Sequence, residues 1–174
     1  SYYDAEKTDH GAAISASLNL DSSKARHRQL VSLAGQNIEF EPRRRKDADY
    51  IFMLATPRQA RLITPQLSFY RASRLPVYAT SHVYTGQPNS SLDTDLNRVR
   101  FCDMPWILDG ERDYLPRVFR DNWPENAARY GRFHALGIDA WRVLPYVDQV
   151  ENDLMGAYQG VTGSLELDEN RQLR

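Results

Sequence analysis

The sequence predicts an α/β fold in which a parallel sheet with its crossover helix is followed by a more helical segment. Three observations predict it. Residues 47–82, DADYIFMLATPRQARLITPQLSFYRASRLPVYATSH, run strand, helix, strand, with each boundary marked by its own residues. A third strand-like run, Val99-Arg100-Phe101-Cys102, follows an intervening polar loop. From Pro124 onward, apolar residues recur at spacings of three and four, which is the helical period.

In the central stretch, Tyr50 to Leu54 is a nearly continuous apolar run, the pattern of a strand covered on both faces. Thr56 and Pro57 end it: a threonine hydroxyl suits a helix N-cap, and proline suits the first turn because its missing N–H has no partner there anyway. Ala60, Ile63, Leu67 and Tyr70 then form one apolar stripe, with Arg58, Arg61 and Gln66 toward solvent. Pro65 interrupts this pattern, so a kink or break is expected near Thr64. Leu75 to Ala79 is the next strand, closed by Thr80-Ser81-His82. Two parallel strands joined by one helix form a right-handed crossover, and ligands of such sheets gather at the carboxyl ends of the strands. Ala55-Thr56 and Thr80-Ser81-His82 therefore belong to one rim.

Taken from its beginning, the chain opens with a loop carrying at most a helical turn over residues 1–20. Asp21-Ser22-Ser23 offers an N-cap, and a helix of about a dozen residues follows, ended by Gly35. Ile38-Glu39-Phe40 alternates as a short strand does. The basic run Arg43-Arg44-Arg45-Lys46 is a solvated face first and a phosphate or acidic-partner patch second. Tyr84 to Asp95 is a Gly, Pro, Asn, Ser and Asp-rich exposed loop. After the third strand, Pro105 stops ladder pairing, and Trp106, Ile107 and Leu108 need burial elsewhere. A short helix lies within 111–123. In the long helical pattern, Tyr130, His134, Gly137, Trp141 and Leu144 form the stripe. Gly131 and Gly137 mark either close backbone packing or, at Gly137, a helix end with Asp139 capping the next. Ser164-Leu165-Glu166-Leu167 alternates and turns at Asp168-Glu169-Asn170, a terminal hairpin.

Composition narrows the function. At 174 residues the chain supports one domain or two small lobes. Its net charge of -1, with 26% charged residues, gives no global field for nucleic acid or anionic lipid. No apolar run reaches the roughly 20 residues of a membrane span, and the opening SYYDAEKTDHG lacks the basic and apolar regions of a signal peptide, so the chain is expected to be soluble. With Cys102 its one cysteine, it has no internal disulfide and no multi-cysteine zinc site.

Candidate chemistry is sparse. Ser81, His82 and Asp103 suggest a hydrolase, but there is no G-x-S-x-G elbow, and adjacent residues such as Ser81 and His82 tend to point apart. His10, His27, His82 and His134 lack paired ligand spacing, so no metal site is expected. The turn after the first strand is Ala-Thr-Pro rather than a glycine-rich phosphate loop, and no cofactor is expected. Tyr78, Tyr84, Phe101 and Trp106, with Thr56, Ser81 and Asp103, line a cleft of mixed polarity or else simply close the core.

The blocks RRRKDADYIFMLATPRQARLITPQLSFYRASRLPVYATSHVYTG, LNRVRFCDMPWIL, RFHALGIDAWRVLPYV and GVTGSLELDENRQLR resemble the C-terminal domain of the LppC/LpoA lipoproteins. These are activators of class A penicillin-binding proteins in Gram-negative bacteria. The resemblance covers nearly the whole chain. It implies a three-layer Rossmann-like sandwich of the type I periplasmic-binding-protein kind, in which two lobes exchange strands across a hinge. Residues 1–103 would form most of one lobe, and residues 104–174 the hinge, near Asp103 to Trp106, and the return segment of the other.

The implied role is a non-enzymatic regulator of peptidoglycan synthesis. It would bind and activate a class A penicillin-binding protein from the outer membrane, facing the periplasm, with its anchor outside this chain. The alternative is a periplasmic solute receptor for an amino acid, peptide or cell-wall fragment. The resemblance transfers no catalytic residues. It implies only the position of the inter-lobe cleft, at Thr56, Ser81, His82, Tyr84, Asp103 and Trp106. The first half of the second lobe and the helical N-terminal domain of full-length members are not in this sequence, so Leu136, Trp141 and Leu165 are expected to be exposed.

Overall fold

A computed structural model describes residues 2–108, 114–151, 156–166, 168, 170 and 172. The chain divides into two compact units, Ser1–Tyr84 with Asn89–Cys102, and Thr85–Pro88 with Asp103–Arg174.

The first unit is built on three parallel strands in the order β1 (Ile51–Met53), β2 (Val77–Ala79), β3 (Val99–Phe101). Their register aligns Met53, Ala79 and Phe101, so the three strands end at one level. Helices α1 (Gly11–Ser17) and α2 (Leu20–Ala34) precede β1, and α3 (Pro57–Phe69) makes the crossover to β2. The opening of the chain is therefore more helical than the expected single turn. Helix α2 begins at Leu20 rather than after Asp21, whose carboxylate instead accepts the Ser15 hydroxyl at 2.8 Å. Gly35 closes α2 in the left-handed region, φ 65°, where a side chain would be strained.

Helix α3 starts as its residues dictate. Gln59 reaches back so that its Oε1 accepts the Thr56 N–H at 2.9 Å, and Pro57 occupies the first turn. The expected break at Pro65 does not occur. The Thr64 hydroxyl donates to the Ala60 carbonyl at 2.8 Å, and Ile63 and Leu67 on either side of the proline are buried, so packing outweighs the lost main-chain bond. Arg58 is exposed, but Arg61 and Gln66 are only half-exposed. Arg61 pairs with Asp93 at 2.7 Å, and the Gln66 amide ties the N-terminal arm to α3, donating to Thr8 O at 2.9 Å and accepting the His10 N–H at 2.8 Å.

Ala60, Ile63 and Leu67 pack with Ile14, Met53, Val77 and Ala79 in a single apolar core on one face of the sheet. The other face is open, which corrects the expectation of strands covered on both sides. Phe52 is 59% exposed and Tyr78 38%, because the alternating residues of β1 and β2 have no helix layer against them among the described residues. Ile38 to Phe40 is not a strand. Phe40 instead stacks on His27 with ring centroids 4.2 Å apart, and Ile38 O meets His27 Nε2 at 2.9 Å. In the basic run, Arg45 hydrogen-bonds Asp47 at 2.8 Å and holds that carboxyl down to about 2.

The second unit contains α4 (Pro105–Leu108), α5 (Tyr114–Asn122), α6 (Pro124–Val143), α7 (Val147–Glu151) and the hairpin β4 (Tyr158–Gln159) with β5 (Ser164–Leu165). Helix α6 runs without a break, so Gly137 does not end it and Asp139 does not cap a second helix. At Gly131 a Cβ would lie 3.3 Å from Ile107 Cδ1, so close packing explains that glycine, whereas Gly137 has nothing within 4 Å.

The buried stripe of α6 is Gly131, Ala135, Asp139 and Val143, shifted by one to two residues from the expected one and so on nearly the opposite face. Tyr130, Phe133, Leu136, Trp141 and Leu144 are exposed, Trp141 by 76%. Leu136 and Trp141 thus meet the expectation of exposure, and Leu165 is half-buried. The hairpin turns at 160–163, before Ser164-Leu165 rather than after it. A further turn does form at Asp168, whose carboxylate accepts the N–H groups of Asn170 and Gln172, each at 2.9 Å. Residues 111–113, Leu167 and Glu169, parts of the expected helix and hairpin, lie outside the described residues.

Candidate functional site

The carboxyl ends of the three strands form the rim that the topology singles out. On β1 the chain continues through Leu54 and Ala55 to Thr56, which is held by Gln59 as the start of α3. On β2 it continues into a tight 3-10 turn, Ser81–Val83, closed by the Tyr84 N–H to Ser81 O at 3.1 Å. That turn buries Val83, leaves His82 exposed and half-exposes Ser81 and Tyr84. The Tyr84 ring meets Phe101 at 5.4 Å. Thr80, the first residue past β2, keeps a buried hydroxyl with no hydrogen-bond partner among the described residues.

Asp103 and Trp106 belong to the second unit. The Asp103 side chain is only 2% exposed: it accepts the Met104 N–H at 2.9 Å and the Arg132 Nε–H at 3.1 Å, and Arg132 also reaches its second oxygen. Such a two-pronged guanidinium contact neutralises a buried carboxylate. Trp106 is buried, with its ring edge-on to Phe119 at 5.7 Å and its main-chain N–H donated to Val161 O at 2.9 Å. Phe119 in turn lies 4.8 Å from His134. So Asp103 and Trp106 are buried within the second unit, while Thr56, although hydrogen-bonded to Gln59, is exposed and Ser81, His82 and Tyr84 reach solvent. Among the described residues, no group of three or more His, Cys, Asp and Glu is placed to hold a metal ion.

Sequence reasoning missed the strongest polar cluster. Asp139, 1% exposed, accepts the N–H of Val161 at 2.8 Å, the N–H of Thr162 at 2.7 Å and the Thr162 hydroxyl at 2.5 Å. Gly160 is required beside it, since a Cβ there would sit 2.3 Å from Asp139 Oδ2. The available signal was the four-residue recurrence of Gly131, Ala135, Asp139 and Val143, which marks a packed helix face with one carboxylate in it. The Gly-Val-Thr-Gly loop at 160–163 presents its N–H groups to that carboxylate. This is an internal clamp and leaves no open coordination for a substrate.

Comparison with known proteins supplies the family. The family model "LppC putative lipoprotein" matches residues 1–174. The chain belongs to the LppC family. Penicillin-binding protein activator LpoA of Photobacterium profundum is similar to this LppC chain, 32% identical over 162 residues that make up 89% of the chain and 25% of that protein. The protein of the same name from Aliivibrio fischeri is 28% identical over 162 residues, 90% of this chain and 26% of its own length.

Among solved structures, full-length LpoA from Haemophilus influenzae matches with a TM-score of 0.60 at 20% identity, over 87% of this chain and 30% of that one. The Haemophilus influenzae LpoA C-domain, described as a regulator of PBP1A, matches with a TM-score of 0.59 at 20% identity over 87% of this chain and 51% of that one. At that identity the likeness establishes a shared fold. The LppC chain spans about a quarter of the length of the sequence relatives it matches.

Proposed function

We propose that this LppC chain is a non-enzymatic regulatory domain that binds a class A penicillin-binding protein and stimulates its peptidoglycan transpeptidation. The observation that carries the reading is the family match over the whole chain, together with relatives named as penicillin-binding protein activators. The mechanism is a population shift: contact with the activator favours the active arrangement of the synthase, and the activator does no chemistry of its own.

The same reading assigns residues 1–103 to one lobe of a three-layer, Rossmann-like sandwich of the type I periplasmic-binding-protein kind, and residues 104–174 to the hinge and the return segment of the second lobe. The parallel order β1-β2-β3 and its crossover helix support it. It also places the protein in the periplasm, held at the outer membrane by an anchor outside this chain. No described helix is long and apolar enough to cross a membrane.

The test is retention of the full-length protein on an immobilised class A penicillin-binding protein. Saturable retention supports the reading, and none overturns it. As contacts for a cell-wall-derived ligand we propose the residues at the strand ends of the first unit that reach solvent, Thr56, Ser81, His82 and Tyr84. A thermal-shift screen with amino acids, peptides and muropeptides examines them, and a shift that survives both Ser81→Ala and His82→Ala would remove the assignment.

A further inference from the structure

We propose that the groove between α2 and residues 38–43 docks an acidic, partly apolar segment of a partner protein, namely the class A penicillin-binding protein. This rests on the activator reading above and adds to it the surface through which contact is made. Residues 38–43 are fixed to α2 at three points. The His27 Nε2–H donates to Ile38 O at 2.9 Å, the Phe40 ring stacks on the His27 ring with centroids 4.2 Å apart, and the Arg43 N–H donates to the Ser23 hydroxyl at 3.2 Å. Two recesses share the stacked His27–Phe40 pair as a wall. One, of about 660 Å³, is lined by Arg26, Leu30, Ile38, Glu39 and Arg43 among others, and the second, of about 460 Å³, by Asp21, Lys24 and Arg28.

Four cations thus surround the pair. Lys24, Arg26, Arg28 and Arg43 are all exposed, and none of them is paired with a carboxylate among the described residues. Two carboxylates of the same recesses are already engaged: Glu41 is bound by Arg71, and Asp21 accepts the Ser15 hydroxyl. The whole chain has a net charge of -1, so this cation excess is local and acts at short range. It also divides the basic run at 43–46, since Arg45 is satisfied by Asp47 whereas Arg43 lines the larger recess.

The arrangement suits a peptide better than a phosphate. A phosphate calls for donors converging on one point, as at a helix N-terminus or a paired guanidinium. Here the cations are split between two recesses, and Glu39 in the larger one repels a dianion. Single carboxylates spaced along a chain match split cations. Apolar surface runs through the same groove: Leu30 is 55% exposed and Phe40 38%, and Leu33, one turn beyond Leu30 on α2, is 84% exposed. An aromatic ring set among arginines is the composition of a protein interface.

The test uses the full-length protein on an immobilised class A penicillin-binding protein. Wild type is compared with two double variants, Arg26→Glu with Arg43→Glu, and Lys24→Glu with Arg28→Glu. Each should bind about tenfold more weakly than wild type, and added salt should weaken the wild type most. The substituted side chains are exposed, so the melting temperature should stay at the wild-type value, and the two pairs report independently of each other. Arg98→Glu with Arg117→Glu, an equal charge reversal at exposed residues that do not line the groove, should bind as wild type does. Undiminished binding by both groove pairs overturns the proposal while leaving the activator reading standing, and an equal loss in the control pair overturns it by reducing the effect to net charge. Absence of wild-type binding overturns the reading and the proposal together. Displacement of the wild type by inorganic phosphate at constant ionic strength would assign the groove to a phosphate group and overturn the proposal as well.

Discussion

In the sheet-bearing unit, Ile14, Met53, Ile63, Leu67 and Val77 belong to one continuous apolar core, whereas the second unit buries fewer large apolar side chains and sets two carboxylates, Asp103 and Asp139, among them. The difference teaches where each unit is vulnerable. Apolar packing is non-directional and loses stability in proportion to the atoms removed. A buried carboxylate acts through direction: each donor aimed at it becomes a desolvated, unmet group once the acceptor is gone. All three tryptophans, Trp106, Trp123 and Trp141, lie in the second unit, so tryptophan fluorescence reports that unit alone.

The widest break in the comparison is expected from Asp139→Ala. It strands the Val161 and Thr162 donors and should cost about 4 kcal/mol, read as an earlier tryptophan-detected urea transition with the transition of the first unit unchanged. Ile63→Ala should do the reverse, lowering the stability of the first unit by about 3 kcal/mol by circular dichroism and leaving the tryptophan transition in place. Arg132→Ala removes the guanidinium from the buried Asp103 and should cost the second unit about 2 kcal/mol in the same urea experiment.

Two pH effects are smaller. Burial raises the Tyr3 phenol above its usual value of 10.0, so its contribution is complete below that pH and is lost as pH rises through the folded value. Near-ultraviolet circular dichroism should show the N-terminal arm releasing in strong alkali, and Tyr3→Phe should abolish that transition. The exposed Asp47, held low by its Arg45 hydrogen bond, contributes above its ordinary value and loses that contribution as pH falls toward about 2. Asp47→Asn should flatten only this acid limb of the stability profile.

What was legible in the sequence was what short-range chemistry determines. Thr56-Pro57 marks a helix start whatever surrounds it, and the two apolar runs flanking α3 define the parallel pair. What was not legible depended on distant neighbours. Continuity through Pro65 needed the buried Ile63 and Leu67 on either side of it, and the uncovered Phe52 face depended on a layer that the run Tyr50 to Leu54 implies but does not supply. The phase of α6 was missed for a related reason. Its large apolar residues are exposed and its small ones buried, so hydrophobicity pointed to the wrong face, and Asp139 read as a possible helix cap instead of a buried acceptor. At the rim, Ser81 and His82 were legible from the end of β2, but the engagement of Asp103 by Arg132 spans 29 residues and left no local trace.

The proposed role is tested most directly by the rate of peptide cross-linking by a purified class A penicillin-binding protein on lipid-linked peptidoglycan precursor, with and without the full-length LppC protein. A rate that rises saturably with added protein, with no cross-linking by the LppC protein alone, is the expected result. An unchanged rate, or cross-linking by the LppC protein in the absence of the synthase, would contradict it.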